Sequence, residues 1–334
     1  MARIHLTLLV EDLAALATAA PEAEAPALER CLARGRPLAR PAANADELRV
    51  ALFESEDASP APVGALTAAA DALSEAGDTR YWLRVDPVTL TADMTRVFMT
   101  AHGLADVEEA DRAALRECVA DTLAEAGHAL LCGHPERWLL ALDAAPPVEF
   151  MRLEDALGLD MAEVLPGDPE DLEWRRLLTD IQVALHNADV NQRRRSQGMR
   201  EINGAWIWGG GRLPQAGRSC PFDCVISDHP VSLGLAALAD CAPRPESAAE
   251  VHAAVARGGT VLHDWRTSAL GAAGELDRLE RFVAGFDQDV ARGRLAITLL
   301  DGGGSGWRLD RAALRRFWRR PRPLRERLST EPGS

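Results

Sequence analysis

The second half of the chain alternates short apolar strands with helices, and this alternation constrains the fold more than any other feature of the sequence. Strands are predicted at 202–208, 224–227, 259–263 and 295–300, and helices at 229–240, 247–257 and 275–291. Such an alternation is typical of crossover connections, which make neighbouring strands parallel and cover the sheet with helices. The sequence therefore predicts an α/β fold with a mostly parallel sheet flanked by helices.

The first half contains a block of a different type. A strand at 3–10 and alanine-rich amphipathic helices near 11–20, 24–35 and 61–76 come first. Strands at 81–86, 96–100, 128–133 and 137–142 then surround a helix at 106–126, whose apolar residues recur every four positions. We therefore predict an α/β core formed by residues 1–78 and 150–334, with an inserted α+β module at 79–149.

The basic and apolar residues exclude several kinds of function. All 37 basic residues are arginines, so a Schiff-base lysine and a P-loop lysine are both ruled out. Apolar stretches fall short of the roughly 20 residues that cross a bilayer, and the first residues lack the apolar core and cleavage site of a signal peptide. We therefore expect a cytoplasmic protein that does not associate with membranes.

Charge is distributed unevenly along the chain. Of the formal net charge of −14, residues 1–150 carry −13, which argues against a nucleic-acid partner because phosphates bind to basic faces. The exception is an arginine-rich C-terminus formed by Arg311, Arg315, Arg316, Arg319, Arg320, Arg322, Arg325 and Arg327. This cluster can bind an anionic ligand or protein partner, or the acidic first half of the same chain. We favour contact with the acidic first half of the same chain, because that half needs counter-charge.

The six cysteines indicate free thiols rather than disulfides, as expected in a cytoplasmic chain. Cys220 and Cys224 are spaced like a metal-binding pair, but no second cysteine or histidine pair follows at zinc-finger distance. We interpret them as thiols at the start of a buried strand.

The segment from 186 to 212 has the most unusual composition in the chain. A predicted strand with two tryptophans ends in three glycines, and ligands bind at the carboxyl edge of α/β sheets. The glycines would let backbone N–H groups approach a small anion, with an arginine supplying charge. A tight turn beside a solvated helix end explains the pattern equally well. The candidate ligand-binding residues are Asn191, Arg195, Asn203, Trp208, Gly209, Gly210 and Gly211.

Nine residues of this segment follow the order of a block in bacterial cofactor-independent phosphoglycerate mutases, which belong to the alkaline phosphatase superfamily. They are His186, Val190, Asn191, Gly198, Asn203, Trp206, Trp208, Gly209 and Gly211. Residues 223–227 and 261–264 resemble core strands of that family, and 82–88 and 106–126 resemble its inserted module. The similarity covers roughly residues 80–300 and implies an alkaline-phosphatase-like core.

Three segments also resemble the RpfE-type regulatory proteins of gamma-proteobacteria, which are themselves often labelled phosphoglycerate mutase. These segments are 83–90, the tryptophan-glycine run at 206–211, and 317–324. This second resemblance implies a bacterial regulatory protein.

The mutase resemblance implies two divalent metals held by Asp and His side chains, and a Ser or Thr that accepts the phosphoryl group. The chain departs from this pattern. Residues 25–28, where the nucleophile would fall, contain no hydroxyl. The residues that survive are Asp12, Asp160, His263, Asp264 and Asp301, and the candidate metal ligands among them are Asp12, Asp160, His263 and Asp301. Asp12 and Asp160 have a plain alternative as helix caps.

Two hypotheses follow. We expect a non-catalytic, phosphoglycerate-mutase-like regulatory or binding protein, a pseudoenzyme with a small-anion pocket and no cofactor, because nucleophile, base and electrophile cannot all be assigned. The alternative is a metal-dependent phosphotransferase or phosphatase of the mutase type, in which the four surviving ligands bind Mn²⁺ or Zn²⁺.

Overall fold

The computed structural model describes residues 4–39, 42–53, 60–165, 172–214, 219–268 and 270–328. The chain divides into two compact units. The first consists of Met1–Pro60 and Gly217–Ser334, and the second of Ala61–Ala216. The second unit is larger than the module expected at 79–149, because it also contains the helix before that module and the segment from 150 to 216.

Strands and helices are numbered in chain order. The described strands are β1 (Ile4–Val10), β2 (Arg36–Ala39), β3 (Tyr81–Asp93), β4 (Arg96–His102), β5 (Leu130–His134), β6 (Arg137–Leu142), β7 (Gly204–Gly211), β8 (Cys224–Ile226), β9 (Gly259–Trp265), β10 (Leu295–Asp301) and β11 (Ser305–Leu309). The described helices are α1 (Leu13–Ala19), α2 (Pro26–Arg34), α3 (Ala45–Leu52), α4 (Val63–Ala70), α5 (Glu109–Glu125), α6 (Leu153–Ala156), α7 (Met161–Val164), α8 (Leu172–Asn187), α9 (Asp189–Ser196), α10 (Pro230–Leu238), α11 (Ala248–Arg257), α12 (Gly271–Ala284), α13 (Asp287–Ala291), α14 (Arg311–Leu314) and α15 (Leu324–Leu328).

The first unit is built on a mixed sheet whose described strands follow the order β2-β11-β10-β1-β9-β8. Strand β1 is parallel to β10 on one side and to β9 on the other, and β8 extends the parallel set beyond β9. A central parallel strand is covered on both faces, which explains why Leu6 to Val10 are all buried. The predicted mainly parallel sheet is therefore confirmed. The antiparallel edge strands β11 and β2 were not predicted.

Helices of the first unit begin where the sequence supplies caps. The side chain of Asp12 accepts a hydrogen bond from the first turn of α1, and Ser247 does the same for α11. Helix α2 has Pro26 in its first turn, where no N–H is needed. Over the described ranges of the chain, no helix is both long and apolar enough to cross a bilayer.

The second unit contains an antiparallel sheet. The long strand β3 pairs with β4, β6 and β7, and β5 pairs with β6. The prediction that the tryptophan-glycine strand joins the parallel sheet is wrong, because β7 is antiparallel to β3, with Ile207 opposite Val85. Its first five residues are all buried, and a continuously buried strand has the same sequence pattern whichever way its neighbour runs.

Glycines allow α4 to pack closely on this sheet. A Cβ atom at Gly64 would lie 2.7 Å from the carbonyl carbon of Trp82, and one at Gly209 would lie 2.9 Å from Cβ of Val63. Gly209 also has a φ of +65°, which disfavours any side chain. Two glycines on facing elements thus set the distance between α4 and the sheet.

Candidate functional site

Polar side chains gather at the carboxyl edge of the parallel strands in the first unit. The register places Asp301 of β10 opposite Val10, and Asp264 of β9 opposite Leu9. Both carboxylates therefore flank the end of β1, and Ser227 follows β8 at the same edge. In α/β sheets this edge is where ligands bind, so it is the candidate functional site of this unit.

A buried arginine lies at this edge. Arg49 of α3 is 1% exposed, and its Nε and Nη2 donate to the two carboxylate oxygens of Asp264 at 3.0 and 3.1 Å. Its Nη1 donates to Oδ1 of Asp46 at 3.1 Å and lies 3.9 Å from a carboxylate oxygen of Glu11. Bidentate arginine–carboxylate pairs are among the strongest side-chain interactions. One guanidinium thus contacts three carboxylates at this edge, those of Asp264, Asp46 and Glu11.

Two serines complete the shell around Asp264. The hydroxyls of Ser227 and Ser232 both donate to its Oδ2, at 3.1 and 2.6 Å. The Ser227 hydroxyl also accepts from the backbone N–H of His229 at 2.9 Å. Each serine thus holds a carboxylate whose charge Arg49 already balances, which is a structural arrangement rather than that of an activated nucleophile.

Electrostatics fix the protonation states of this network. Burial by itself would raise the pKa of the Asp264 carboxyl, but the guanidinium of Arg49, the neighbouring His229 and the hydrogen bonds outweigh burial and lower it to about 2. Burial, followed by the positive charge of Arg49, lowers the pKa of His229. At neutral pH Asp264 is therefore ionised and His229 is neutral.

The candidate metal ligands are each engaged in structural bonds. Asp12 and Asp301 accept backbone N–H groups in the first turn of α1, at 2.7 and 2.8 Å. Asp160 belongs to the second unit, where it caps α7 with a bond of 3.1 Å. His263 is 0% exposed, and its Nε2 lies 3.0 Å from Oε1 of Glu246. Within the described ranges, no group of three or more His, Cys, Asp or Glu side chains can hold a metal ion. These residues do not fit the two-metal site that the mutase resemblance implies.

The N-terminus of α2 is also filled by the chain itself. The carboxylate of Glu280 accepts the backbone N–H of Ala27 at 2.8 Å and that of Leu28 at 3.0 Å. Free N–H groups at a helix N-terminus can bind phosphate. Here an internal carboxylate takes that position, in the segment where the resemblance places the nucleophile.

The two candidate asparagines form hydrogen bonds with the backbone of the second unit. Asn191 is fully buried, donates to the carbonyls of Leu185 and Ile202, and accepts from the N–H of Ile202. Asn203 exchanges hydrogen bonds of 2.7 and 2.8 Å with the backbone of Leu90 in β3. Both amides are therefore occupied by backbone groups.

The other candidate ligand-binding residues also have local partners. Arg195 forms a two-point contact with Glu201, at 2.9 and 2.6 Å. The indole N–H of Trp208 donates to Asp86, which also pairs with Arg84. Gly209, Gly210 and Gly211 lie at the end of β7. A Cβ atom at Gly209 would meet Val63 of α4, one at Gly210 would meet Tyr81, and one at Gly211 would meet Pro62. A ligand role for these seven residues stays a prediction, since every bond just described is internal to the second unit.

An open cavity of about 290 Å³ lies beside this block. Its lining residues are Leu90, Ala92, Val97, Gln182, Val183, His186, Asn187 and Asn203. Of this set only His186 can ionise, so an anion in the cavity would meet at most one positive charge.

Arg49 is not among the predicted site residues, although the helix that carries it has a recognisable signal. Asn44 accepts the N–H of Glu47 at 3.0 Å, and the carboxylate of Glu47 accepts the N–H of Ala43 at 2.9 Å. An Asn three residues before a Glu is a capping-box pattern that predicts a helix start. That pattern would have placed Arg49 on a helix, but not opposite Asp264.

Comparisons with known proteins identify similar structures only. No family model matches the chain, and no curated protein matches it. The PH0037 protein from Pyrococcus horikoshii is 16% identical, with a TM-score of 0.52 over 100% of both chains. A cofactor-independent phosphoglycerate mutase from Thermoplasma acidophilum is 14% identical, with a TM-score of 0.44 over 92% of this chain and 89% of the mutase. At these identities, the likeness to the PH0037 protein shows a shared fold.

The variant Arg49→Met should lower the free energy of unfolding by about 3–5 kcal/mol, because it leaves Asp264 charged, buried and unpaired. Urea unfolding followed by tryptophan fluorescence measures the change. The control Arg281→Met breaks an exposed pair with Asp277 and should cost less than about 1 kcal/mol. Replacing both partners, in Arg49→Met/Asp264→Asn, should recover part of the loss. Equal effects of the two single variants would contradict the structural role of Arg49.

Acid should destabilise the first unit in two ranges. The pKa of His229 is lowered by folding, so the unfolded state binds more protons and stability falls below about pH 6.5. The pKa of Asp264 is lowered to about 2, so its contribution is present above about pH 4 and is lost as the pH falls toward 2. Urea midpoints between pH 8 and 5 should drop less in His229→Gln than in wild type or in the exposed control His102→Gln. An unchanged profile in His229→Gln would refute this assignment.

Proposed function

We propose that this chain is a non-catalytic binding protein with a phosphoglycerate-mutase-like fold, of the regulatory kind represented by the RpfE-type proteins it resembles. One observation carries the proposal. The carboxyl edge of the parallel sheet, where the resemblance implies metal-bound phosphoryl chemistry, is occupied by Arg49 bound to both carboxylate oxygens of Asp264.

Charge explains why this arrangement opposes metal catalysis. A divalent cation at Asp264 would lie within a few ångströms of a buried guanidinium, and unscreened repulsion at such distances costs several kcal/mol. Displacing Arg49 would instead leave its charge unpaired in the interior. The edge therefore supports a structural ion pair in place of a metal.

The phosphoryl acceptor position supports the same proposal. Residues 25–28 carry no hydroxyl, and the backbone N–H groups there bind the carboxylate of Glu280. A phosphate at this helix start would have to displace an anion that the chain itself supplies. Neither a nucleophile nor an anion site is available at that point.

The arginine-rich C-terminus supports a protein partner with an acidic surface. Phe317 and Trp318 are 76% and 66% exposed, and their rings contact each other edge to face. Four neighbouring arginines are exposed as well: Arg315, Arg319, Arg320 and Arg322. In the described part of the chain these four form no ion pair. Exposed aromatic rings among unpaired arginines are typical of interaction surfaces. Arg316 contacts the first half of the same chain, where it donates a hydrogen bond to the carbonyl oxygen of Arg34.

Metal content tests the non-catalytic role. After equilibration with Mn²⁺ and gel filtration, we expect far less than one ion per chain, because the candidate ligands are engaged elsewhere. Mn²⁺ is the better probe, since it prefers carboxylates to thiolates. Retention of close to two ions per chain, as two-metal phosphoryl chemistry requires, would overturn the proposal and favour the phosphotransferase alternative with phosphoglycerate as the first substrate to assay.

Binding of a fluorescent poly-glutamate peptide tests the partner surface. The double variant Arg319→Gln/Arg320→Gln should bind severalfold more weakly than wild type, and the difference should shrink at high salt because exposed charges are screened. The matched control is Arg257→Gln/Arg292→Gln, which removes two exposed arginines elsewhere in the first unit. Equal loss in both double variants, or tighter binding of a single-stranded oligonucleotide than of the peptide, would contradict an acidic protein partner at this surface.

A further inference from the structure

The open cavity of the second unit lies where the pairing between β3 and β7 ends. Strand β7 pairs with β3 only as far as Val88, which is opposite Gly204. Beyond that point the side chain of Asn203 replaces the strand, because its Oδ1 accepts the N–H of Leu90 at 2.7 Å and its Nδ2 donates to the carbonyl of Leu90 at 2.8 Å. One carboxamide group therefore fills a position that a residue of a neighbouring strand would otherwise take.

The next such position along β3, at Ala92, is open. Pairs in an antiparallel ladder alternate between hydrogen-bonded and non-hydrogen-bonded. Leu90 directs its N–H and C=O at Asn203, so its pair with Met99 of β4 is of the second kind. Ala92, two residues on, has the same orientation, so its N–H and C=O also point away from β4. Ala92 is exposed, and among the described residues no partner for these two groups lies on that side.

The cavity contains this open position. Leu90, Ala92 and Asn203 all line it, so the bonded position at Leu90 and the open one at Ala92 border the same space. A ligand with a carboxamide group can therefore bind Ala92 in the way that Asn203 binds Leu90.

Helix α8 supplies further polar groups to the cavity. Gln182, His186 and Asn187 line it from one side of that helix. Over the described ranges, the side-chain amides of Gln182 and Asn187 form no hydrogen bond. The Nδ1 atom of His186 lies 3.4 Å from Nη2 of Arg195. A guanidinium can only donate, so Nδ1 accepts and Nε2 carries a hydrogen that a ligand can accept.

The remaining walls of the cavity are aliphatic. Leu90 and Val97 belong to the hairpin of β3 and β4, and Val183 belongs to α8. Val97 and Val183 are 37% and 55% exposed, so a ligand that covers them gains from the burial of apolar surface. The volume of about 290 Å³ is near the lower limit for small-molecule sites. The cavity therefore suits a small ligand with an aliphatic group.

We propose that this cavity binds a small, uncharged molecule that carries a carboxamide beside an aliphatic group. The amide NH₂ donates to the carbonyl of Ala92, the amide oxygen accepts the N–H of Ala92, and the aliphatic group contacts Val97 and Val183. A carboxylate is disfavoured, because it has no hydrogen to donate to the carbonyl oxygen. The site lies in the second unit, so it depends neither on the metal-free sheet edge nor on the arginine-rich C-terminus of the first.

A chemical-shift titration of the isotope-labelled full chain tests the site with three ligands that share one aliphatic group. They are isocaproamide, isocaproate and N,N-dimethylisocaproamide. The primary amide should bind about tenfold more tightly than the other two, because each of these leaves the carbonyl of Ala92 without a donor. The largest shift should occur at the backbone N–H of Ala92. Equal or tighter binding of isocaproate would overturn the proposal, and so would shifts centred away from the lining residues.

Two pairs of variants locate the amide. Ala92→Pro removes the N–H of the open position, and proline is tolerated where the N–H of an edge strand faces solvent. Binding of isocaproamide should fall about tenfold in Ala92→Pro and persist in Ala92→Ser. Val183→Glu places a charge in the aliphatic wall and should also weaken binding, whereas Leu172→Glu, at a residue of the same helix that is 58% exposed, should not.

Undiminished binding in Ala92→Pro would refute the assignment, as would equal losses in Val183→Glu and Leu172→Glu. The wild-type titration with the three ligands is decisive by itself, so the test does not depend on how either variant folds.

Discussion

The buried ion pair between Arg49 and Asp264 is the interaction on which the first unit depends. Removing a carboxylate and a guanidinium from water is costly, and only close, multiple contacts offset that cost. Here both carboxylate oxygens bind the guanidinium, two serine hydroxyls donate to one of them, and Asp46 and Glu11 lie on the far side of Arg49. The pair joins α3 to β9, so the position of the helix and the charge state of the sheet edge are set together.

At this edge, where ligands bind in many α/β sheets, the acidic side chains are engaged within the chain. The acidic groups at the ends of β1, β9 and β10 contact Arg49 or accept helix N–H groups. In the second unit, Asn191 and Asn203 form hydrogen bonds with the backbone, and the glycines of β7 pack closely against neighbouring residues. Residues that resemble those of a catalytic family are thus held here by contacts within the chain.

Much of the first unit could be predicted from local patterns. The apolar run of β1 and the alternation of strands and helices after residue 224 identify a mainly parallel sheet, because burial on both faces and crossover helices leave a clear pattern. Strand β7 shows the limit of such reasoning. Its buried residues predict a strand, but its partner is β3, more than a hundred residues earlier, and no local pattern encodes the direction of that pairing.

The candidate site divides in the same way. The sequence by itself determined which residue types were available: no lysine, no hydroxyl at 25–28, and the acids Asp12, Asp264 and Asp301 at or near the ends of their strands. Only the tertiary structure decided what those acids do. Arg49 and Asp264 are separated by more than two hundred residues, and so are Glu280 and the first turn of α2. Ion pairs of this kind follow from the folded path of the chain, because charges attract through space, whereas periodicity and capping act between neighbours in sequence.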